Sequence, residues 1–282
     1  MNMIKVINAF TEEVDDTEAA VSEILEQLDP DNKLLANSVG IVHCYGEFLE
    51  NGTVQALSDK LPFDLVGTTT MSLSVPSFIS DIGLCLTVLT SDSVKFISDV
   101  SSPINGSVDE PLTELYGRIA AAEKPSLLMP FIPFMITVGG DEFIEKIDSL
   151  SGGIPAVGTL AISNEPDFSK SYTIYKGQGY AASMVLLALT GDVDPLFLSV
   201  SVSEENILKQ KAVITGINRN ILQTVNNMPA VTYLESIGLI KSGDVGALAS
   251  MPFIIQLKDG SILVRAVISA TEDGGVILCG AA

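Results

Sequence analysis

The chain has no tryptophan, one histidine and three cysteines in 282 residues, and each shortage removes a class of chemistry. A lone imidazole, His43, cannot supply the clustered ligands of a zinc or iron centre. A Ser-His-Asp hydrolase needs its base beside the nucleophile, and no GxSxG surrounds any serine. Cys44 sits next to His43, but neighbours on a strand point to opposite faces and make a poor catalytic pair. Cys44, Cys85 and Cys279 are odd in number, widely spaced and without a CxxC, which argues against a disulfide framework and a zinc site. They read as free, mostly buried thiols. Basic residues are scarce as well, 15 against 35 acidic, for a formal charge of −20. Such a field repels phosphate backbones and anionic lipid, so neither nucleic acid nor a membrane surface is expected as a partner. Nucleotide loops are missing: neither GxxxxGK[ST] nor GxGxxG occurs, and GQGYAA leads into a strand. Hydrophobic residues make up 47% of the chain, yet no run is long enough to cross a bilayer. The run 181–189 is closed by Gly179 and Gly191, and 126–138 holds Pro130 and Pro133, so both read as buried strands or their approaches. The start, MNMIKVINAF followed by TEEVDD, lacks the regions of a secretion signal, which points to the cytoplasm.

What the chain does contain is a repeat. PFDLVGTTTMS at 62–72 recurs as IPAVGTLAIS at 154–163, with Val66-Gly67-Thr68 matching Val157-Gly158-Thr159. Upstream of each lies an amphipathic helix (15–28 and 110–122), an apolar strand (38–44 and 126–131) and a second helix (53–60 and 141–150). Asp15 with Glu18 suggests a capping box for the first helix. Downstream of each come two long strands, 82–90 with 94–100 and 180–190 with 196–202, whose short connections predict antiparallel neighbours. The unit therefore reads αβαβββ. IGLCLTVL and AASMVLLAL are apolar almost throughout, as strands buried on both faces are. The expected fold class is α/β, duplicated αβαβββ units with mixed sheets in a layered αββα arrangement. The last eighty residues leave the repeat: strands at 212–217 and 221–225 about an Asn218-Arg219-Asn220 turn, a helix from Pro229 to Ile237 closed by Gly238, and strands at 253–257, 262–269 and 276–279. The chain stops in GGVILCGAA, a strand-like stretch, so a longer protein is expected to continue beyond it.

In order and spacing, VGT in each half, GQGYAASMVLLALTGD, KAVITGINRNILQTVNNMPAVTYLESIGL, then MPFIIQL and ILVRAVI, the chain resembles the FIST domain family in its N-terminal and C-terminal parts. Val213, Thr215, Asn218, Pro229, Ala230 and Tyr233 carry the closest match. The resemblance implies a FIST N-like unit over 1–104 and a FIST C-like unit over 105–282. It implies a cytoplasmic sensory module of a bacterial signalling protein, without enzyme activity, that binds a small molecule, amino acids in particular. Its output partner would be a histidine kinase, diguanylate cyclase or chemoreceptor. A haem-based nitric oxide sensor using His43, and a hydrolase of unrecognised type using Thr or Cys, stand as alternatives. No cofactor is expected. For a small amphoteric ligand the candidate groups are the threonines at the end of the first VGT strand, Thr68, Thr69 and Thr70. Thr159 and Asn164 hold the matching places in the second unit, with Asp167 and Tyr172 on the loop that follows. Arg265 joins them because LVRAVI sets a cation inside an apolar strand, where it needs an acid partner or a ligand carboxylate.

Overall fold

The computed structural model describes residues 4–75, 78–165, 168–198, 212–248, 252–258, 260 and 262–280. Contacts divide the chain into two units, one holding the residues up to Val138 with Glu142–Leu196, the other Gly139–Asp141 with the residues from Phe197 onward. The first runs β1 (Ile4–Thr11), α1 (Thr17–Leu28), α2 (Pro30–Lys33), β2 (Asn37–Cys44), α3 (Glu47–Glu50), α4 (Thr53–Lys60), β3 (Leu65–Thr69), β4 (Leu73–Val75), β5 (Phe78–Ser80) and β6 (Leu84–Ser91). It continues through β7 (Lys95–Val100), α5 (Asp109–Ala122), β8 (Pro125–Ile132), α6 (Gly140–Ser151, all but its first two residues), β9 (Thr159–Leu160), β10 (Thr173–Tyr175), β11 (Gln178–Tyr180) and β12 (Val185–Thr190).

Helix α1 begins one residue later than its capping box predicted. Asp16, in extended backbone, accepts hydrogen bonds from the N–H groups of Glu18 and Ala19 at 3.0 Å each, two donors the helix itself cannot satisfy. Ala20, Val21, Ile24 and Leu28 then recur at helical spacing and are buried against the first sheet together with Val54 and Leu57 of α4.

The strands form a six-stranded sheet, β1-β6-β2-β3-β10-β11, and a four-stranded sheet, β7-β12-β8-β9. The alternation of side chains explains the layering. On β2, Val42 and Cys44 face the helices while Val39 and Ile41 face the second sheet. On β12, Leu186 and Ala188 face α5 and α6 while Val185, Leu187 and Leu189 face the first sheet. Helices thus cover both outer faces and an aliphatic layer fills the middle, the αββα order expected from strands apolar on both sides.

The pairing of the long strands differs from the expectation. β6 does not pair with β7: it lies antiparallel between β1 and β2, and β7 lies antiparallel to β12 in the other sheet. The Ser91-Asp92-Ser93 connection, held by Ser91 Oγ accepting from the N–H groups of Ser93 and Val94, carries the chain between sheets. The repeat therefore starts one strand earlier than the helices suggest. IKVINAFT (β1) corresponds to VKFISDVS around β7, and Lys5 pairs with Thr90 as Lys95 pairs with Thr190. In the second half the strand expected over 196–202 is absent from 196–198, and its remainder lies outside the described residues.

The recurring Val-Gly-Thr has a steric cause. β3 runs parallel to β2 with Gly67 opposite Val42, and a Cβ on Gly67 would overlap the Val42 carbonyl oxygen. A Cβ on Gly158 would overlap the Pro130 carbonyl oxygen in the same way, so each copy needs glycine where its parallel pair closes.

The second unit contains β13 (Ile214–Asn218), β14 (Ile221–Val225), β15 (Met228–Pro229), α7 (Ala230–Ser236), β16 (Phe253–Gln256), β17 (Ile262–Arg265), β18 (Val267–Ala270) and β19 (Val276–Leu278). β13-β14-β19-β18 form one sheet, and Leu222, Val225, Tyr233, Leu234, Val267 and Val276 share its core. Pro229 caps α7 from just outside, and Gly238, at φ 75°, ends it. The single strand predicted over 262–269 is broken after Arg265, so that this cation stands at a strand end.

Candidate functional site

Parallel β2 and β3 finish together, at Cys44 and Thr69, and most of the predicted site residues of the first unit collect at that end. Thr69 is fully buried and ties the strand to the loop before β10. Its N–H donates to the Tyr172 carbonyl at 2.9 Å, and its hydroxyl oxygen accepts from the Tyr172 N–H at 2.9 Å. The Ile162 N–H donates to the Thr69 carbonyl at 3.2 Å, so the chain leaving β9 meets the same strand end. Thr70 donates its hydroxyl to the Ser72 carbonyl at 3.0 Å, and Asn164 donates its side-chain amide to the Asp81 carbonyl at 3.4 Å. Lys170 bridges Glu50 at 2.7 Å and Glu165 at 3.8 Å, and its hydrogen bond to Glu50 holds it above the usual lysine value. Thr68, Thr69, Thr70, Asn164 and Tyr172 are thus brought to one region, and Thr159 lies on β9, whose continuation touches it. Asp167 lies outside the described residues. Arg265 belongs to the other unit, where its guanidinium donates to the Val264 carbonyl at 3.1 Å and stands beside Gly280.

Thr68 has a different setting from its neighbours. It points into the layer between the sheets, 1% exposed, and shares a 3.0 Å hydrogen bond with His43 Nδ1. The His43 ring lies 6.2 Å from that of Phe131, its counterpart in the second copy: His43 is opposite Thr68 as Phe131 is opposite Thr159. Burial lowers the pKa of His43, so the imidazole is neutral at pH 7. This is the setting of a hydrogen-bonded interior histidine. Cys85, the cross-strand partner of His43 on the same face, was missed in sequence because strand pairing decides it. Burial pushes its thiol up, and pushes Cys44, on the opposite face, up to about 12. Both thiols are therefore held in their protonated form at neutral pH.

The buried histidine makes a pH prediction. The folded protein holds His43 below its ordinary 6.5, so the unfolded chain takes up this proton first as pH falls. Its contribution is complete above that value and is lost below it, at most about 1 kcal/mol between pH 7 and pH 5.5. The depressed carboxyls of Asp109 and Glu123 act in the same direction only at lower pH. Urea unfolding across this window should show the slope in the wild type and not in His43→Gln; equal slopes would remove His43 as its origin.

A cleft of about 620 Å³ opens at the other end of the same unit, at the starts of β2 and β7. Leu34, Pro62, Phe63, Phe96 and Ile97 supply its apolar wall, and Asn37, Ser38 and Lys95 its polar groups. Lys95 pairs with Glu123 at 2.9 Å, and that bond holds Glu123 below the usual carboxylate range. No sequence pattern announces this cleft, because its walls come from three separate segments, 34–38, 62–63 and 95–97, that only the sheet packing unites.

Among the described residues no group of three or more His, Cys, Asp or Glu is placed to hold a metal ion, and no helix is long and apolar enough to cross a membrane. No curated protein matches the chain. The family model of the FIST N domain matches residues 38–228, from β2 through both Val-Gly-Thr copies to β15. By that match, over more than half of its length, the chain belongs to the FIST family, a family of sensory domains in signal transduction.

Proposed function

We propose that this FIST protein senses a small amphoteric molecule, an amino acid in particular, taken up in the cleft walled by Phe63, Phe96 and Ile97. The cleft carries the proposal: its volume suits such a ligand, its lining is about equally apolar and polar, as an amphoteric molecule requires, and its polar groups include a cation. A ligand carboxylate would take the place of Glu123 on Lys95. The polar cluster of Thr68, Thr69, Thr70, Asn164 and Tyr172 is the second reading, favoured by its place at the carboxyl ends of two parallel strands, with Thr159 and Asp167 as its further proposed members, while Arg265 stays a separate candidate contact within its own unit. The protein is proposed to act without catalysis in a bacterial cytoplasm, a setting supported by its three free cysteines. It would report to a histidine kinase, diguanylate cyclase or chemoreceptor. A FIST C-like part within 105–282 rests on the pattern around Val213 to Gly238.

Thermal unfolding against a panel of amino acids and short peptides tests the proposal. A ligand at a hundredfold excess over its Kd should stabilise the protein by about 2.7 kcal/mol. Loss of the shift in Lys95→Met places the ligand in the cleft, and loss in Thr70→Val instead moves it to the hydroxyl end. A panel that shifts nothing would reject the amino-acid proposal.

A further inference from the structure

The duplication supplies a reference for what each copy lacks. β1-β6-β2-β3 and β7-β12-β8-β9 repeat one order and one set of directions, and both end on a Val-Gly-Thr strand. In the first sheet that strand is covered. The hairpin β10-β11 lies antiparallel on β3, with Thr173 opposite Thr68, Ile174 opposite Gly67 and Tyr175 opposite Val66. Ile174 fills the space over the glycine, and both it and Val66 are fully buried.

Among the described residues β9 is the last strand of the second sheet. Leu128 donates to the Pro155 carbonyl, and Val157 and Ala161 donate to the Leu128 and Ile132 carbonyls, which fastens one side of the segment to β8. Alternation then directs the N–H and C=O groups of Ala156, Gly158 and Leu160 the other way. Ala156, Val157 and Gly158 are exposed, Val157 to 44% where its counterpart Val66 is at 0%. The hairpin that corresponds to β10-β11 is β4-β5, and among the described residues it pairs with neither sheet. Its connection from β3 is residues 70–72, whereas residues 161–172 lead from β9 to β10 and let that hairpin reach across. Natural edges are defended by charges, prolines or bulges. Residues 156–160, AVGTL, carry none of these.

We propose that the Ala156–Leu160 edge is a docking strand for an extended, basic segment of a partner protein. The segment adds antiparallel, setting an aliphatic side chain over Gly158 and an aromatic or branched one over Val157, as Ile174 and Tyr175 do on β3. The basic character follows from the net charge of −20, which draws cationic segments and repels acidic ones.

The probe is a fluorescein-labelled peptide KSYTIYK, the sequence of residues 170–176 that covers β3, titrated into the full chain by anisotropy. Saturable binding is expected, weakened at least tenfold by Ala156→Pro, which removes an outward N–H and spares the bonds of Pro155 and Val157 to β8. The peptide carrying Ile174→Pro should fail on the wild-type protein, a comparison that does not depend on the variant folding. Absence of saturable binding, or equal binding to Ala156→Pro of unchanged melting temperature, overturns the proposal. Self-association of the chain that Ala156→Pro abolishes would give the edge to a second copy and overturn the peptide partner too.

Discussion

Gly67→Ala is expected to cost at least ~4 kcal/mol and to leave little soluble protein at 37 °C. The new methyl would lie 1.7 Å from the Val42 carbonyl oxygen, far inside contact distance, and relief requires β2 and β3 to separate. Neither can move alone. β2 is hydrogen-bonded to β6 on its other side, and β3 to β10 on its own. Every such bond lost in the interior leaves polar groups without partners. Gly158→Ala meets the same overlap with Pro130, but among the described residues β9 has a neighbour on one side only and can swing outward. Its cost should be clearly smaller, within the ordinary range of about 1–3 kcal/mol. Urea midpoints of the two variants against wild type make the comparison. Equal losses would mean that the edge strand is held as firmly as the central one, contrary to the pairing.

Phe131→Ala is expected to destabilise by about 3–5 kcal/mol. The ring is 2% exposed in the layer between the sheets, with Val185, Leu187, Ile41 and Val66 in the same cluster, so its removal leaves a cavity that two hydrogen-bonded sheets cannot close. A second effect follows at His43, whose ring neighbours the phenyl group. Water entering the space would ease the burial that lowers the imidazole pKa, and the value should return toward 6.5. Histidine is unique in this chain, so its proton resonances report the titration directly. A large loss of stability with an unmoved titration would show that some other burial sets His43.

The layered fold was legible because its signals are local. Apolar runs such as VLLALT allow no solvent on either side of a strand, and the Val-Gly-Thr recurrence exposed the duplication. Strand partners were not legible, since Ser91-Asp92-Ser93 has the length of a hairpin and nothing local states that it changes sheet. The matching Lys5-Val6-Ile7 and Lys95-Phe96-Ile97 were the available clue, and they place β1 and β7 in equivalent roles. At the candidate site, the threonines after Gly67 do gather with Asn164 and Tyr172, as strand-end position suggested. Their hydroxyls are largely engaged with backbone, which residue type alone does not disclose. The cleft at the far end was invisible for the opposite reason: Phe63, Phe96 and Leu34 read as ordinary core residues until packing leaves a gap between them.

The hairpin laid across β3 also sets a timetable for synthesis. Thr69 waits for Tyr172, 103 residues further along, before its edge is covered. At ordinary translation speeds of about 5–20 residues per second, that is a delay of roughly 5–20 seconds in which a nascent chain presents an unpaired, apolar strand outside the ribosome. Slower elongation in the second half lengthens that exposure, so codon choice between the two copies bears directly on how much of the protein escapes aggregation.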